Sequence, residues 1–140
     1  MITKTGSAKW QGGIKDGNGE VSTESGALSS QPYGFATRFE DKAGTNPEEL
    51  IGAAHASCFA MALSKELGDA GVTDVTIEAS SAVSLDQEGE GFAVKKAALT
   101  ARVSGNGDRD AIEKAAEGAK ANCPISKLLN TDITLDLTVA

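Results

Sequence analysis

The sequence predicts a chain of mixed strands and helices, in the order strands, helix, strands, helix, strand, arranged around one apolar helix. Three observations predict it. Glycine-rich turns punctuate short candidate strands over the first forty residues. The run from Glu48 to Leu67 is rich in Ala, Leu and Met and long enough for a buried helix. Beyond it lie stretches in which apolar and polar residues alternate, the pattern of strands with one covered face. At 140 residues the chain fits one domain, residues 1–140, and can bury a core without staples.

The elements follow in order. Trp10 to Gly13 and Lys15 to Gly19 read as turns. Glu20 to Ser25 and Phe35 to Glu40 are candidate strands, interrupted by Gln31-Pro32-Tyr33-Gly34, and together suggest an antiparallel meander. A helix starts near Asn46, a good N-cap, with Pro47 at the first helical position and Glu49 at the third. Gly52 is its one weak point, and Gly68 and Gly71 supply the stop. This helix is apolar on most sides and should lie at the centre of the fold. Val75, Ile77, Ala79, Ser81, Val83 and Leu85 alternate as a strand. Phe92 and Val94 begin the next on one parity, and Leu99, Ala101 and Val103 continue on the other, so a bulge is expected near Lys95-Lys96. Asp108 to Lys120 reads as a helix, Pro124 to Leu129 as a short one, and Ile133, Leu135, Leu137 and Val139 as a last strand. One small sheet cannot cover the apolar helix, which suggests a homodimer.

Charge and composition narrow the function. A net charge of −7 repels phosphate backbones and anionic lipid, so nucleic acid and membrane surfaces are poor partners. No apolar run is long enough to span a bilayer, and Met1 to Trp10 has no apolar signal core, so a cytoplasmic location is expected. A reducing compartment discourages structural disulfides. The two cysteines are then either small buried hydrophobes or redox groups.

Cys58 sits inside the central helix beside Phe59, where a plain core thiol is the default. Cys123 immediately precedes Pro124 and so stands at a helix start, where a thiolate is favoured unless the residue merely replaces an ordinary cap. His55, the only histidine, is three residues before Cys58 and on its helix face. A Cys–His pair could serve acyl transfer, but no third orienting group is evident. A zinc site lacks close ligand spacing and a fourth ligand. Glu48 and Glu49 complement the helix dipole, and Arg38 lies in a candidate strand, on a solvated face or aimed into a cleft.

The run Gly44-Thr45-Asn46-Pro47-Glu48-Glu49-Leu50-Ile51-Gly52-Ala53-Ala54-His55-Ala56-Ser57-Cys58-Phe59 closely resembles the OsmC/Ohr family. Val21 to Gly26, Gln31 to Phe35 and Thr37-Arg38-Phe39-Glu40 are similar to its osmotically inducible branch. Asn122-Cys123-Pro124-Ile125-Ser126 resembles the family's second cysteine segment, and Ile133 to Leu137 its last strand. The resemblance runs through the chain and spares only the turns at Asp86 to Gly91 and Ser104 to Asp110. It implies an α+β, OsmC-like fold, with antiparallel sheets around the central helix in an intertwined homodimer, and sites at the subunit interface. It further implies a cysteine-based peroxidase, an antioxidant stress-response enzyme without metal or organic cofactor. The resemblance implies organic hydroperoxide as the substrate and an external dithiol, with the lipoyl type as the candidate, as the reductant. By the same resemblance Cys58 is the peroxidatic cysteine, Cys123 the resolving cysteine, and Arg38 and Glu48 the family's arginine and glutamate.

A thiol is a poor nucleophile, so Arg38 would favour the Cys58 thiolate and Glu48 would hold the guanidinium in place. Cys58 would become a sulfenic acid, and Cys123 would close a disulfide that a dithiol reopens. Tyr33 and Phe35 are candidate walls of an alkyl-binding site, whereas Phe59 and Met61 read as plain core. Ten residues of straight helix would separate Glu48 from Cys58 by about 15 Å. A bend between Gly52 and Ser57 is therefore expected, and a continuous helix would count against these roles. The competing readings are a thiol-based peroxide sensor or disulfide exchanger, and a non-enzymatic protein with inert thiols.

Overall fold

The computed structural model describes all 140 residues, which form two compact units, residues 1–50 and 51–140. In the first unit β1 (Gly6–Gln11), β2 (Asn18–Thr23) and β3 (Gln31–Tyr33) form the expected antiparallel meander, in spatial order β1-β2-β3. Gly19 pairs with Trp10 on one side and Tyr33 on the other. Their rings approach to 5.6 Å between centroids, and a Cβ on Gly19 would lie 2.5 Å from the Tyr33 ring. Only glycine leaves room for the two rings to meet across the middle strand.

The segment expected as a strand over Phe35 to Glu40 is instead a helix, α1 (Phe35–Phe39). Alternation of Phe35, Thr37 and Phe39 suits a strand, but Phe35 and Phe39 also stand at the i, i+4 spacing of a helix. Their rings pack at 5.0 Å. Thr37 closes the start of the helix: its hydroxyl accepts from the Gly34 amide at 2.9 Å and donates to the Gly34 carbonyl at 3.0 Å. No hydrophobic residue of this unit is fully buried; the chain's entire buried apolar core lies in the second unit.

The central helix, α2 (Pro47–Asp69), begins as expected. The Asn46 side chain accepts from the Glu49 amide at 2.9 Å, and its own amide donates to the Thr37 carbonyl at 3.1 Å. A break or sharp bend was expected between Gly52 and Ser57, and no break is found: α2 is one uninterrupted helix. Gly52 serves close approach rather than bending, because a Cβ there would stand 2.7 Å from the Ser81 carbonyl. One face of α2 is buried, through His55, Phe59, Leu63 and Leu67. Met61, expected in the core, is 78% exposed, and Ala53, Ala54 and Ser57 are exposed as well.

In the second unit β4 (Thr73–Glu88) and β5 (Gly91–Asn106) form a long antiparallel hairpin. The predicted bulge is present. Ser84 pairs with Lys96 and Leu85 with Val94, which leaves Lys95 as the extra residue and switches the parity of the apolar face. After α3 (Arg109–Asn122) and α4 (Pro124–Leu128), β6 (Asp132–Val139) adds beside β5 in parallel. The second sheet is therefore mixed, antiparallel between β4 and β5 and parallel at the β6 edge. The α3–α4 connection carries the chain back along the sheet, and such a crossover returns a strand parallel.

Register stacks Ile77, Val103 and Val139 in one rung and Ala79, Ala101 and Leu137 in the next. These residues form one core with Phe59, Leu63 and Leu67 of α2 and Ile112, Ala115, Ala116 and Ala119 of α3. Each fully buried large side chain contributes about 1.5–3 kcal/mol.

Candidate active site

Cys123 stands where two helices meet. It caps the end of α3, its amide bonding the Ala119 carbonyl at 3.0 Å, and it is the N-cap of α4, with Pro124 at the first helical position. Its sulfur accepts from the Ser126 amide at 3.3 Å. Only five residues make up α4, so this local amide, rather than a macrodipole, is what the sulfur feels.

Cys58 projects from α2, half-buried, and packs against the core that holds Cys123, near enough for the Cys123 thiol to affect its ionisation. Both cysteines are free. Burial pushes the Cys58 thiol above its ordinary value; the Ile125 backbone amide opposes this, and the Cys123 thiol adds to the rise. The first turn of α4 thus favours negative charge on both sulfurs: the Ser126 amide donates to Cys123, and the Ile125 amide lowers the Cys58 pKa.

Arg38 and Glu48 are paired as expected, within the first unit. Arg38 Nη2 donates to Glu48 Oε1 at 2.9 Å, and Nε lies 3.1 and 3.2 Å from the two carboxylate oxygens. Both donors of the guanidinium edge thus grip one carboxylate, which fixes its plane. The guanidinium also lies 5.2 Å from the Phe39 ring centre. Trp10, Ile14, Tyr33, Phe35, Phe39 and Arg38 line an open cleft of about 250 Å³. The two candidate substrate residues, Tyr33 and Phe35, therefore share a cleft with Arg38.

His55 does not serve Cys58 as a base. It is wholly buried, with Nδ1 2.8 Å from the Ser81 hydroxyl and Nε2 2.8 Å from the Ser126 hydroxyl. Burial lowers its pKa, which favours the neutral ring. The Ser126 hydroxyl lies 3.1 Å from the Cys123 sulfur, so one string of groups joins β4, α2 and α4. Sequence reasoning missed both serines. Ser81 is a polar residue on the inward parity of β4, and Ser126 stands three residues after a helix cap, where a side chain reaches back; both signals were legible.

No three His, Cys, Asp or Glu residues cluster as metal ligands, and no helix is long and apolar enough to cross a membrane.

Residues 39–138 match the model of the OsmC-like protein family. Peroxiredoxin OsmC of Escherichia coli (strain K12) is 55% identical over 136 residues, 96% of this chain and 95% of that protein. Organic hydroperoxide resistance protein OhrB of Bacillus subtilis (strain 168) is 29% identical over 123 residues, 85% of this chain and 88% of that one. Among solved structures, an organic hydroperoxide resistance protein OsmC from Legionella pneumophila superposes with a TM-score of 0.66 at 26% identity, covering 100% of this chain and 98% of that one. The chain belongs to the OsmC-like protein family.

Proposed function

We propose that this chain reduces organic hydroperoxides to alcohols through Cys58 and Cys123, with an external dithiol restoring the resting enzyme. Its 55% identity to a peroxiredoxin over nearly the whole of both chains makes it a peroxidase. The observation that carries the cycle is the closeness of two free thiols in one core, one on α2 and one between α3 and α4.

The Cys58 thiolate attacks one peroxide oxygen, the O–O bond breaks, and the departing alkoxide takes a proton to leave as alcohol. Cys58 is now a sulfenic acid. Cys123 gives up its proton and attacks that sulfur; the S–O bond breaks and the hydroxyl leaves as water. A disulfide remains, and exchange with the dithiol returns both thiols. A lipoyl-type dithiol suits this exchange.

Cys58 needs a positive charge to overcome the effect of burial. Ten residues of uninterrupted helix, about 15 Å, lie between Glu48 and Cys58. The uninterrupted helix counts against Arg38 and Glu48 acting on Cys58 of their own chain, so in this proposal the pair acts from a second copy, in a homodimer. The exposed Met61, Ala53 and Ala54 on α2, together with a first unit that lacks buried apolar residues, support such a partner. The cleft beside Arg38 then receives the alkyl group, each buried CH₂ favouring organic over hydrogen peroxide by about 0.8 kcal/mol.

Turnover of cumene hydroperoxide in the presence of a dithiol tests this reading. Sustained turnover by the wild type is expected. Cys58→Ser should be inert, and Cys123→Ser should reduce about one equivalent and then stall. A single slow turnover by the wild type would instead favour a peroxide sensor or disulfide exchanger.

A further inference from the structure

His55 is the one buried titratable group that the cycle above does not use. Both ring nitrogens face hydroxyls rather than carboxylates or carbonyls, each at 2.8 Å. One of those hydroxyls, on Ser126, is also the polar neighbour of the Cys123 sulfur at 3.1 Å. A neutral imidazole has one N–H and one acceptor nitrogen, and a hydroxyl can donate and accept at once. The string Ser81–His55–Ser126–Cys123 must therefore run in one of two directions.

In the first direction the Cys123 S–H donates to Ser126 Oγ, the Ser126 O–H donates to His55 Nε2, and His55 Nδ1–H donates to Ser81 Oγ. In the second the Ser81 O–H donates to Nδ1, Nε2–H donates to Ser126 Oγ, and the Ser126 O–H donates to the sulfur. The first direction fits a thiol. The second fits a thiolate, which then accepts both the Ser126 hydroxyl and the Ser126 amide. The heavy atoms need not move between the two, since only the tautomer of His55 and the hydroxyl hydrogens change.

We propose that His55 is a positioning residue for the resolving step, a tautomeric relay that lets the buried Cys123 sulfur change from thiol to thiolate inside a fixed frame. The inference rests on the reading of Cys123 as the resolving thiol. The proton balance closes. The S–H proton passes to Ser126, the Ser126 proton to Nε2, the Nδ1 proton to Ser81, and the hydroxyl proton of half-buried Ser81 to solvent. Cys123 can then attack the Cys58 sulfenic sulfur without the pocket first opening to water. Burial keeps the ring neutral, as the relay requires, because a doubly protonated imidazolium would donate at both ends and break the direction.

The chain has a single histidine, so labelling histidine with ¹⁵N yields one Nδ1 and one Nε2 signal. In Cys58→Ser protein, where Cys123 is the only thiol, the pH is raised while iodoacetamide reactivity and the ¹⁵N shifts are followed together. The proton is expected to move from Nδ1 to Nε2 over the same pH range in which Cys123 becomes reactive. A tautomer that stays constant through that range overturns the relay. Kinetics supply the second test, with Cys58 sulfenic acid trapped by dimedone and the disulfide quantified by rapid quench. In Ser126→Ala and His55→Gln, disulfide closure should slow at least tenfold relative to sulfenic acid formation in the same sample. An unchanged ratio in the folded Ser126→Ala protein overturns the relay. Failure of the wild type to form any Cys58–Cys123 disulfide would instead remove the assignment of Cys123, and the tautomer titration would still test the relay by itself.

Discussion

Two glycines in one helix should respond to the same substitution with opposite signs. Gly52 and Gly68 both lie in α2, and an alanine in a helix interior is favoured over glycine by about 1 kcal/mol. At Gly68 a Cβ meets nothing within 4 Å, so Gly68→Ala should stabilise by up to about 1 kcal/mol, less any fraying of the last turn. At Gly52 the same carbon would stand 2.7 Å from the Ser81 carbonyl oxygen. That oxygen belongs to backbone held in the β4–β5 ladder, where Ser81 pairs with Leu99. It cannot rotate away as a side chain could, so the cost falls in the upper part of the overpacking range, about 2–3 kcal/mol. Subtracting the helix gain leaves Gly52→Ala less stable by about 1–2 kcal/mol. For a chain of this size that corresponds to a fall of several degrees in Tm, at roughly 2–4 °C per kcal/mol. Urea unfolding of both variants at one fixed protein concentration is the assay, because an oligomer's stability depends on concentration. Gly52→Ala as stable as Gly68→Ala would refute the close packing of α2 on β4, and with it the frame that holds Ser81 against His55.

Further predictions rest on other parts of the molecule. Arg38→Ala should slow the first reduction step about 10²–10³-fold, the usual loss when a charge stabilising the transition state is removed, as measured by stopped-flow peroxide consumption. Wild-type kinetics in that variant would take Arg38 out of the mechanism. His55 has a lowered pKa in the folded chain, so the unfolded chain binds its proton first as the pH falls. Stability is therefore fully present above about pH 6.5 and is lost as the pH falls toward the folded pKa, by up to about 1.4 kcal/mol per pH unit. Urea midpoints at pH 7.5 and 5.5 should show this loss, and a folded His55→Gln protein should show less of it. Asp108 caps α3 by accepting from the Ala111 amide at 3.2 Å, so Asp108→Ala should destabilise by about 1 kcal/mol in the same assay.

Several of these features were written locally in the sequence. The start of α2 follows from Asn46, Pro47 and Glu49, whose cap bond is present at 2.9 Å. The bulge at Lys95 follows from a parity change that no regular strand can accommodate. Other features depend on information that alternation does not hold. Phe35 and Phe39 satisfy a period of two and an i, i+4 pair equally well, and the Thr37–Gly34 closure decides for the helix. The alternation of Ile133 to Val139 states which face is apolar and is silent on direction, which the α3–α4 crossover sets. Met61 looks like core because a helix that is apolar all round does not say which side its own chain covers. At the site, the Arg38–Glu48 pair was expected on family resemblance, whereas the His55 string needed two serines whose signal lies in their position, on the inward parity of β4 and three residues after a cap, and not in their residue type.

The proposed cycle requires Cys58 and Cys123 to act as one redox pair. Mass spectrometry of the reduced protein after one equivalent of an organic hydroperoxide tests it most directly. The predicted product is an intramolecular Cys58–Cys123 disulfide, formed with loss of two hydrogens and reversed by a dithiol. Cys58 carried to sulfinic acid while Cys123 remains a free thiol would contradict the account.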